Sequence, residues 1–322
     1  MRLDFIRPLY ERQGPYASLY LAAGRGPHEL IGGLGGADPA SLEALQERAE
    51  PGHAVFAAHG DVVLSEALPG GAGPELAHWS PLPRVTPMLA ARGENVPHVR
   101  VIADHAGAEV TVVGGGSPRT SPEAAVPWLL HRTARGGWSR RRFDAWELGA
   151  GLVAAEIDEQ VRRIGAELVL LAGEPAARSA LCDRLGTKAA DRVLMVEQGD
   201  RTDREGCRGD AVVALDAWIE QRRQELLYRH FDAAGPTGLH QVGHALREGR
   251  AQAVLTPGEL DVPAWIGKGG TQLATTREEL LGWGVEHPVP ERADSALARA
   301  AAMTDAELWF CPQLGDVAAV LR

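Results

Sequence analysis

Apolar positions along the chain follow two periods, and the alternation between them lays out a series of small α/β segments. Near the start, Asp4 to Gln13 has the spacing of a short helix. After the Gly14-Pro15 break, Ala17 to Leu21 is a β-prone run. Asp38-Pro39 places a capping side chain and an N1 proline ahead of Ser41 to Glu47, which predicts a helix start. Ala54 to Ala58 and Val62 to Leu68 flank His59-Gly60-Asp61 as a hairpin. Prolines 69, 74, 81, 83 and 87 then mark an extended crossing or linker, because proline interrupts helices and central strands alike.

A second series opens at His98. Val99 to Asp104 and Glu109 to Val113 alternate across His105 to Ala108, predicting a second hairpin. From Phe143 to Gly165 a helical stripe of Val153, Ile157, Val161 and Ile164 follows, with a weak point expected at Gly149-Ala150-Gly151. Glu167 to Gly173 is almost continuously apolar, as a strand covered on both faces would be. Helix Pro175 to Leu185 and strand Arg192 to Val196 complete a parallel β-α-β unit. Gln198 to Gly209 is expected to be a loop, and Ala211 to Phe231 a long helix leading into a third series.

That third series runs through helix Gly238 to Glu248 and strand Ala253 to Thr256. A passage rich in proline and glycine precedes helix Thr276 to Trp283, which opens on the capping box Thr276-Arg277-Glu278-Glu279. Helix Ser295 to Met303 is expected to be capped by Asp294, with Glu307 to Phe310 and a last strand, Val317 to Leu321, beyond it. The pattern predicts three small α/β domains, residues 1–95, 96–231 and 232–322, the last an α/β/α sandwich.

Composition narrows the functional classes. In 322 residues no apolar run reaches the roughly 18 to 20 positions of a membrane span, and Met1-Arg2-Leu3-Asp4-Phe5 lacks the apolar centre of a signal peptide, so a cytoplasmic protein is expected. Cys182, Cys207 and Cys311 lie far apart without CxxC spacing and read as spectator thiols. A net charge of -10 excludes general coating of nucleic acid, DNA included, because that affinity comes from many cations neutralising phosphates.

Against this acidic body, His131 to Phe143 holds five arginines around a Gly-Gly pair. Adjacent glycines allow positive φ and close backbone approach. Arg132 and Arg135 before them and Arg140, Arg141 and Arg142 after them could clamp phosphates, and Trp138 could stack on a base. Other motifs are weaker. Gly32-Gly33-Leu34-Gly35-Gly36 lacks GxGxxG spacing, and in Gly267-Lys268-Gly269-Gly270-Thr271 the lysine precedes the glycines, so a turn is expected there. His240 and His244 stand four apart without the glutamate or third ligand of a zinc site. No GxSxG elbow occurs. Neither a metal nor a cofactor is expected.

The run Gly136-Gly137-Trp138-Ser139-Arg140-Arg141-Arg142-Phe143, set between a hairpin and a helix, resembles the GGQ loop of the archaeo-eukaryotic release factor and Pelota superfamily. It is more similar still to the bacterial branch that includes mycobacterial members and the hibernation factor Balon. Gly14-Pro15-Tyr16-Ala17-Ser18-Leu19-Tyr20, the stretch Val101 to Val110 and the stretch Ala245 to Leu255 fit in the same order. The resemblance implies a ribonuclease-H-like middle domain with a β-α-β core, in a three-domain tRNA mimic that enters the ribosomal A site. The first domain would face the decoding centre and the Gly-Gly loop the peptidyl-transferase centre, while the third would meet the ribosome or a translational GTPase such as elongation factor Tu. It names Gly136, Gly137 and Trp138 as catalytic candidates, and Arg132, Arg135, Arg140, Arg141 and Arg142 with these three as RNA contacts. Where the family has glutamine this chain has Trp138, whose indole donates one hydrogen bond and accepts none, which argues for binding without hydrolysis. Two alternatives stand beside this reading, a peptidyl-tRNA hydrolase and an α/β protein that binds an acidic ligand with no ribosome involved.

Overall fold

The computed structural model describes residues 1–22, 24, 26–68, 75–93, 96–104, 107–113, 123–126, 140–196 and 204–322. They gather into two units: Met1–Glu94 together with Arg223–Arg322, and Asn95–Arg222.

The first segment runs through a 3-10 turn at Asp4–Ile6, then α1 (Pro8–Glu11), β1 (Tyr16–Tyr20), α2 (His28–Ile31), α3 (Pro39–Arg48), β2 (His53–Ala58), β3 (Asp61–Ala67), β4 (Leu76–Ser80) and α4 (Thr86–Arg92). The expected helix from Asp4 to Gln13 is instead two short turns that meet at Pro8, whose nitrogen cannot donate to the turn before it. Asp38 caps α3 by accepting the Ser41 N–H at 2.9 Å, with Pro39 at the first position. The strands form an antiparallel sheet in the order β3-β2-β1-β4. The expected proline linker therefore holds two elements, β4 and α4. Strand β4 pairs with β1 from Tyr16↔Ser80 to Tyr20↔Leu76, and Pro87 sits at the start of α4, where a missing N–H costs nothing.

Every residue of β1 is buried because both faces of its sheet are covered. Leu19 and Val55 meet Ile31 and Leu45 of the adjacent helices, while Tyr16, Tyr20 and Phe56 face the other way into a core completed by the last segment.

That last segment holds α9 (Leu239–Arg247), β10 (Ala251–Thr256), β11 (Pro263–Ile266), β12 (Leu273–Ala274), α10 (Arg277–Gly282), β13 (Val289–Arg292), α11 (Ala293–Met303), β14 (Glu307–Phe310) and β15 (Ala318–Leu321). Strands β14-β10-β15 form one sheet and β12-β11-β13 another. Thr276 caps α10 by accepting the Glu279 N–H, as the capping box requires. Helix α11 starts two residues earlier than expected, and Asp294 lies inside it, where its carboxylate accepts the Ser295 N–H and pairs with Arg292. Val242, Leu246, Leu297 and Leu308 share one apolar core with Tyr16, Phe56, Met88 and Leu89 of the first segment.

The middle segment holds β5 (His98–Asp104), β6 (Gly107–Val113), β7 (Glu123–Val126), α5 (Arg140–Ile164), β8 (Leu168–Gly173), α6 (Pro175–Cys182), α7 (Thr187–Ala190), β9 (Val193–Met195) and α8 (Arg204–Asp232). Helix α8 starts inside the expected loop and continues into the last segment. The sheet order is β7-β6-β5-β8-β9, antiparallel across β5, β6 and β7 and parallel across β5, β8 and β9. Within this unit the order is third, second, first, fourth, fifth, the arrangement of a ribonuclease-H-like sheet. Alternate strand residues divide between two helical layers. Val99, Val101, Val169 and Leu171 meet α5, and Ile102, Leu170 and Ala172 meet Cys207 and Ala211 of α8. This mixed α/β chain matches the expected class.

Candidate nucleic-acid interface

The basic Gly-Gly stretch is carried between an edge strand and a long helix. Strand β7 pairs with β6 through Val110↔Val126 and Val113↔Glu123, so the chain leaves β7 level with Val110. Val110 pairs with Val101 of β5, which places that exit towards the carboxyl ends of the parallel strands β5 and β8. In open α/β sheets ligands gather beyond those ends.

Helix α5 then receives the chain at Arg140 and runs 25 residues. Ala150, Val153, Ile157 and Val161 recur at helical spacing and are buried against the sheet. This packing outweighs the roughly 1 kcal/mol that each glycine costs a helix interior, so the expected weak point at Gly149-Ala150-Gly151 is continuous helix. At the carboxyl end of β8, Gly173 has φ +109°, and a Cβ there would lie 1.8 Å from the Ala103 carbonyl oxygen, so only glycine lets β5 and β8 end side by side. Asp104 at the end of β5 accepts the Gly107 N–H at 3.0 Å and so closes the β5–β6 turn.

Of the eight predicted contact residues, Arg132, Arg135, Gly136, Gly137 and Trp138 lie outside the described residues. Arg140, Arg141 and Arg142 form the first turn of α5, which contains no acidic residue.

The weaker motifs take ordinary structural roles. In the Gly267 to Thr271 turn, the Gly267 N–H donates to the Gln272 carbonyl at 3.1 Å and the Gly269 N–H to the Gln272 side chain at 2.9 Å. Those amides point inward and are not offered to a phosphate. His240 Nδ1 lies 3.5 Å from Glu279 and His244 Nδ1 lies 3.3 Å from Glu248, each with its own carboxylate. Among the described residues no group of three or more His, Cys, Asp or Glu side chains could hold a metal ion. The three cysteines are free thiols, Cys207 and Cys311 of them buried.

One polar cluster was not singled out in the sequence. Arg299, buried in α11, donates to the carbonyl oxygens of Gly267 at 3.0 Å and Gln272 at 2.9 Å, and burial lowers its pKa to about 10. Near it are Tyr10, Glu291 and Asp294. The signal was available, since Arg299 is a lone cation in an alanine-rich helix that buries nearly every position.

A model for bacterial archaeo-eukaryotic release factor family 2 matches residues 97–235. Residues 97–235 are therefore similar to a bacterial family of archaeo-eukaryotic release factor type. The match covers the release-factor-like middle unit from β5 through α8, the 127–139 connection included. Solved structures similar to the chain include the archaeal translation termination factor aRF1, at 13% identity over 98% of this chain and 96% of that one, with a TM-score of 0.25. Ribosome-bound archaeal Pelota, described together with ABCE1, has 14% identity over 99% and 94%, with a TM-score of 0.35. Dom34 of S. cerevisiae has 10% identity over 84% and 80%, with a TM-score of 0.38. No curated protein matches the chain. No helix among the described residues is long and apolar enough to cross a membrane.

Proposed function

We propose that this release-factor-like protein binds the ribosomal A site as a tRNA mimic, acts in the cytoplasm in ribosome hibernation or rescue under stress, and does not hydrolyse peptidyl-tRNA. The observation that carries the proposal is the family match over residues 97–235, which brackets Gly136-Gly137 in the connection from β7 to α5. Arg132, Arg135, Arg140, Arg141 and Arg142 are the proposed contacts to ribosomal or transfer RNA, since the planar guanidinium fork suits phosphate oxygens. Gly136 and Gly137 let the backbone approach the RNA, and Trp138 stacks on a base. An indole offers no acceptor to a water nucleophile, which supports occupancy over cleavage. The 1–95, 96–231 and 232–322 division of labour remains part of this proposal, with a translational GTPase such as elongation factor Tu as a further partner.

Sedimentation of extracts from growing and starved cells tests the proposal. Co-migration with ribosomes at low salt and release as salt rises is the expected result, because phosphate contacts are lost with ionic strength. Absence from ribosomal fractions in both conditions contradicts it.

The Gly136-Gly137 pair itself favours one second reading, a peptidyl-tRNA hydrolase in which backbone N–H groups hold the water. Incubation with ribosome-bound peptidyl-tRNA separates the two. Release that disappears in Gly137→Val supports the hydrolase, and release no faster than in buffer supports binding alone.

A further inference from the structure

The proline-rich stretch from Ser80 to Met88, expected to be a linker, is fastened on two sides. Towards its own sheet, the Arg84 N–H donates to Ser18 Oγ at 3.0 Å, Tyr20 Oη donates to the Arg84 carbonyl at 2.5 Å, and the Met88 N–H donates to Tyr20 Oη at 3.2 Å. Gly14 lies so close that a Cβ there would come within 2.2 Å of the Pro81 carbonyl oxygen. Towards the last segment, the Leu82 N–H donates to Glu291 Oε2 at 2.8 Å, and the Arg84 guanidinium pairs with Glu259 at 2.6 Å.

The two fastenings differ in kind. Ser18 and Tyr20 are neutral groups of a central strand, and neutral hydrogen bonds are inexpensive to bury once paired. Glu291 is a carboxylate only 8% exposed, 2.8 Å from Leu82 on one oxygen and from the Arg292 N–H on the other, with the buried carboxylate of Asp294 nearby. A buried carboxyl is costly to desolvate, and here it accepts two backbone N–H groups, of Leu82 and Arg292, that an apolar side chain would leave unpaired.

We propose that Ser80 to Met88 is a strap between the first and last segments, that Glu291 is its catch, and that the strap opens locally when the catch is lost. While Glu291 accepts the Leu82 N–H, the Leu82 side chain stays in the shared core and Arg84 stays in reach of Glu259. Without it the Leu82 amide has no buried acceptor, and the strap lifts from the last segment while Ser18 and Tyr20 still tie it to β1. The device couples the β13 region of the last segment to the central strand of the first through a few polar contacts, beside the apolar core that Leu82, Val85 and Met88 enter.

Hydrogen exchange by mass spectrometry on the full-length protein tests this. In Glu291→Ala, peptides spanning 80–88 are expected to exchange at least tenfold faster, while those of β1, β2 and β10 keep wild-type rates. Arg84→Ala, which cuts the exposed second tie only, should accelerate the same peptides by a smaller factor. Equal acceleration across the whole unit in Glu291→Ala, or wild-type exchange at 80–88, overturns the proposal. If Glu291→Ala does not fold, Glu291→Gln decides, with local acceleration at 80–88 supporting the catch and wild-type exchange rejecting it.

Discussion

In the middle unit the strands come from one continuous stretch, 98–195, with every helix that covers them on the same stretch or directly after it. The other unit is divided in sequence, because Tyr16, Tyr20 and Phe56 complete their core only with Val242, Leu246 and Leu297, more than 180 residues further on. Both units bury a central strand, β1 throughout in one and β8 from Leu168 to Ala172 in the other. Closing a core between distant segments carries a larger loop entropy than closing it within one. The divided unit adds polar ties across its seam, with Arg7 donating to the Ala302 carbonyl at 2.8 Å and to Asp305, Leu82 to Glu291, and Arg84 to Glu259. Most of the family match, residues 97–235, falls in the continuous unit, Asn95–Arg222.

The comparison breaks most directly if the two units unfold as one. Leu171→Ala in β8 and Phe56→Ala in β2 each remove a fully buried side chain, and each should cost about 3 to 4 kcal/mol. Calorimetry should show two transitions, with Leu171→Ala lowering one and Phe56→Ala the other; a single transition shifted by both changes would remove the distinction. Next in size is Gly173→Ala. Its positive φ and the Ala103 carbonyl in the path of the new Cβ should cost about 3 kcal/mol, in the middle-unit transition alone. Asp38→Ala should cost about 1 kcal/mol through the lost cap of α3, and chemical denaturation should register it in the divided unit only.

A smaller effect is a pH dependence at the seam. Burial pushes the Glu291 carboxyl above the usual glutamate range, despite the N–H groups of Arg292 and Leu82 that bond it. The folded protein therefore holds that proton more tightly than the unfolded chain does. Its stabilising contribution is full below the ordinary glutamate value and is lost as pH rises through the raised one. As pH falls from 7 towards 5, the divided unit of the wild type should gain stability relative to Glu291→Gln; parallel curves would show that Glu291 is not the group responsible.

Local chemistry was the legible part of the fold. Asp38-Pro39 and Thr276 to Glu279 announced their helices because a cap is completed within four residues. The β5–β6 hairpin and β8 are legible because alternation, or its absence in a doubly covered strand, reports burial directly. Strand β4 was not legible, since Leu76 to Ser80 is defined by its pairing with β1 and follows a proline-rich passage. The short β11, β12 and β13 were also hidden, and β11 begins on Pro263, a residue that argues against a strand except at its first position. Nor does any local pattern announce that the chain's ends share one core. At the candidate site the sequence named the loop, and the structure contributed its mount, the edge strand β7 and the first turn of α5.

The central claim is that the basic Gly-Gly connection docks the protein in the ribosomal A site. Equilibrium binding of purified protein to bacterial ribosomes with an empty A site, comparing wild type with a variant carrying Arg135, Arg140, Arg141 and Arg142 changed to Ala, tests it most directly. The account predicts saturable binding that A-site tRNA displaces and that the variant loses by at least tenfold. Equal binding by wild type and variant, or binding indifferent to A-site tRNA, would contradict it.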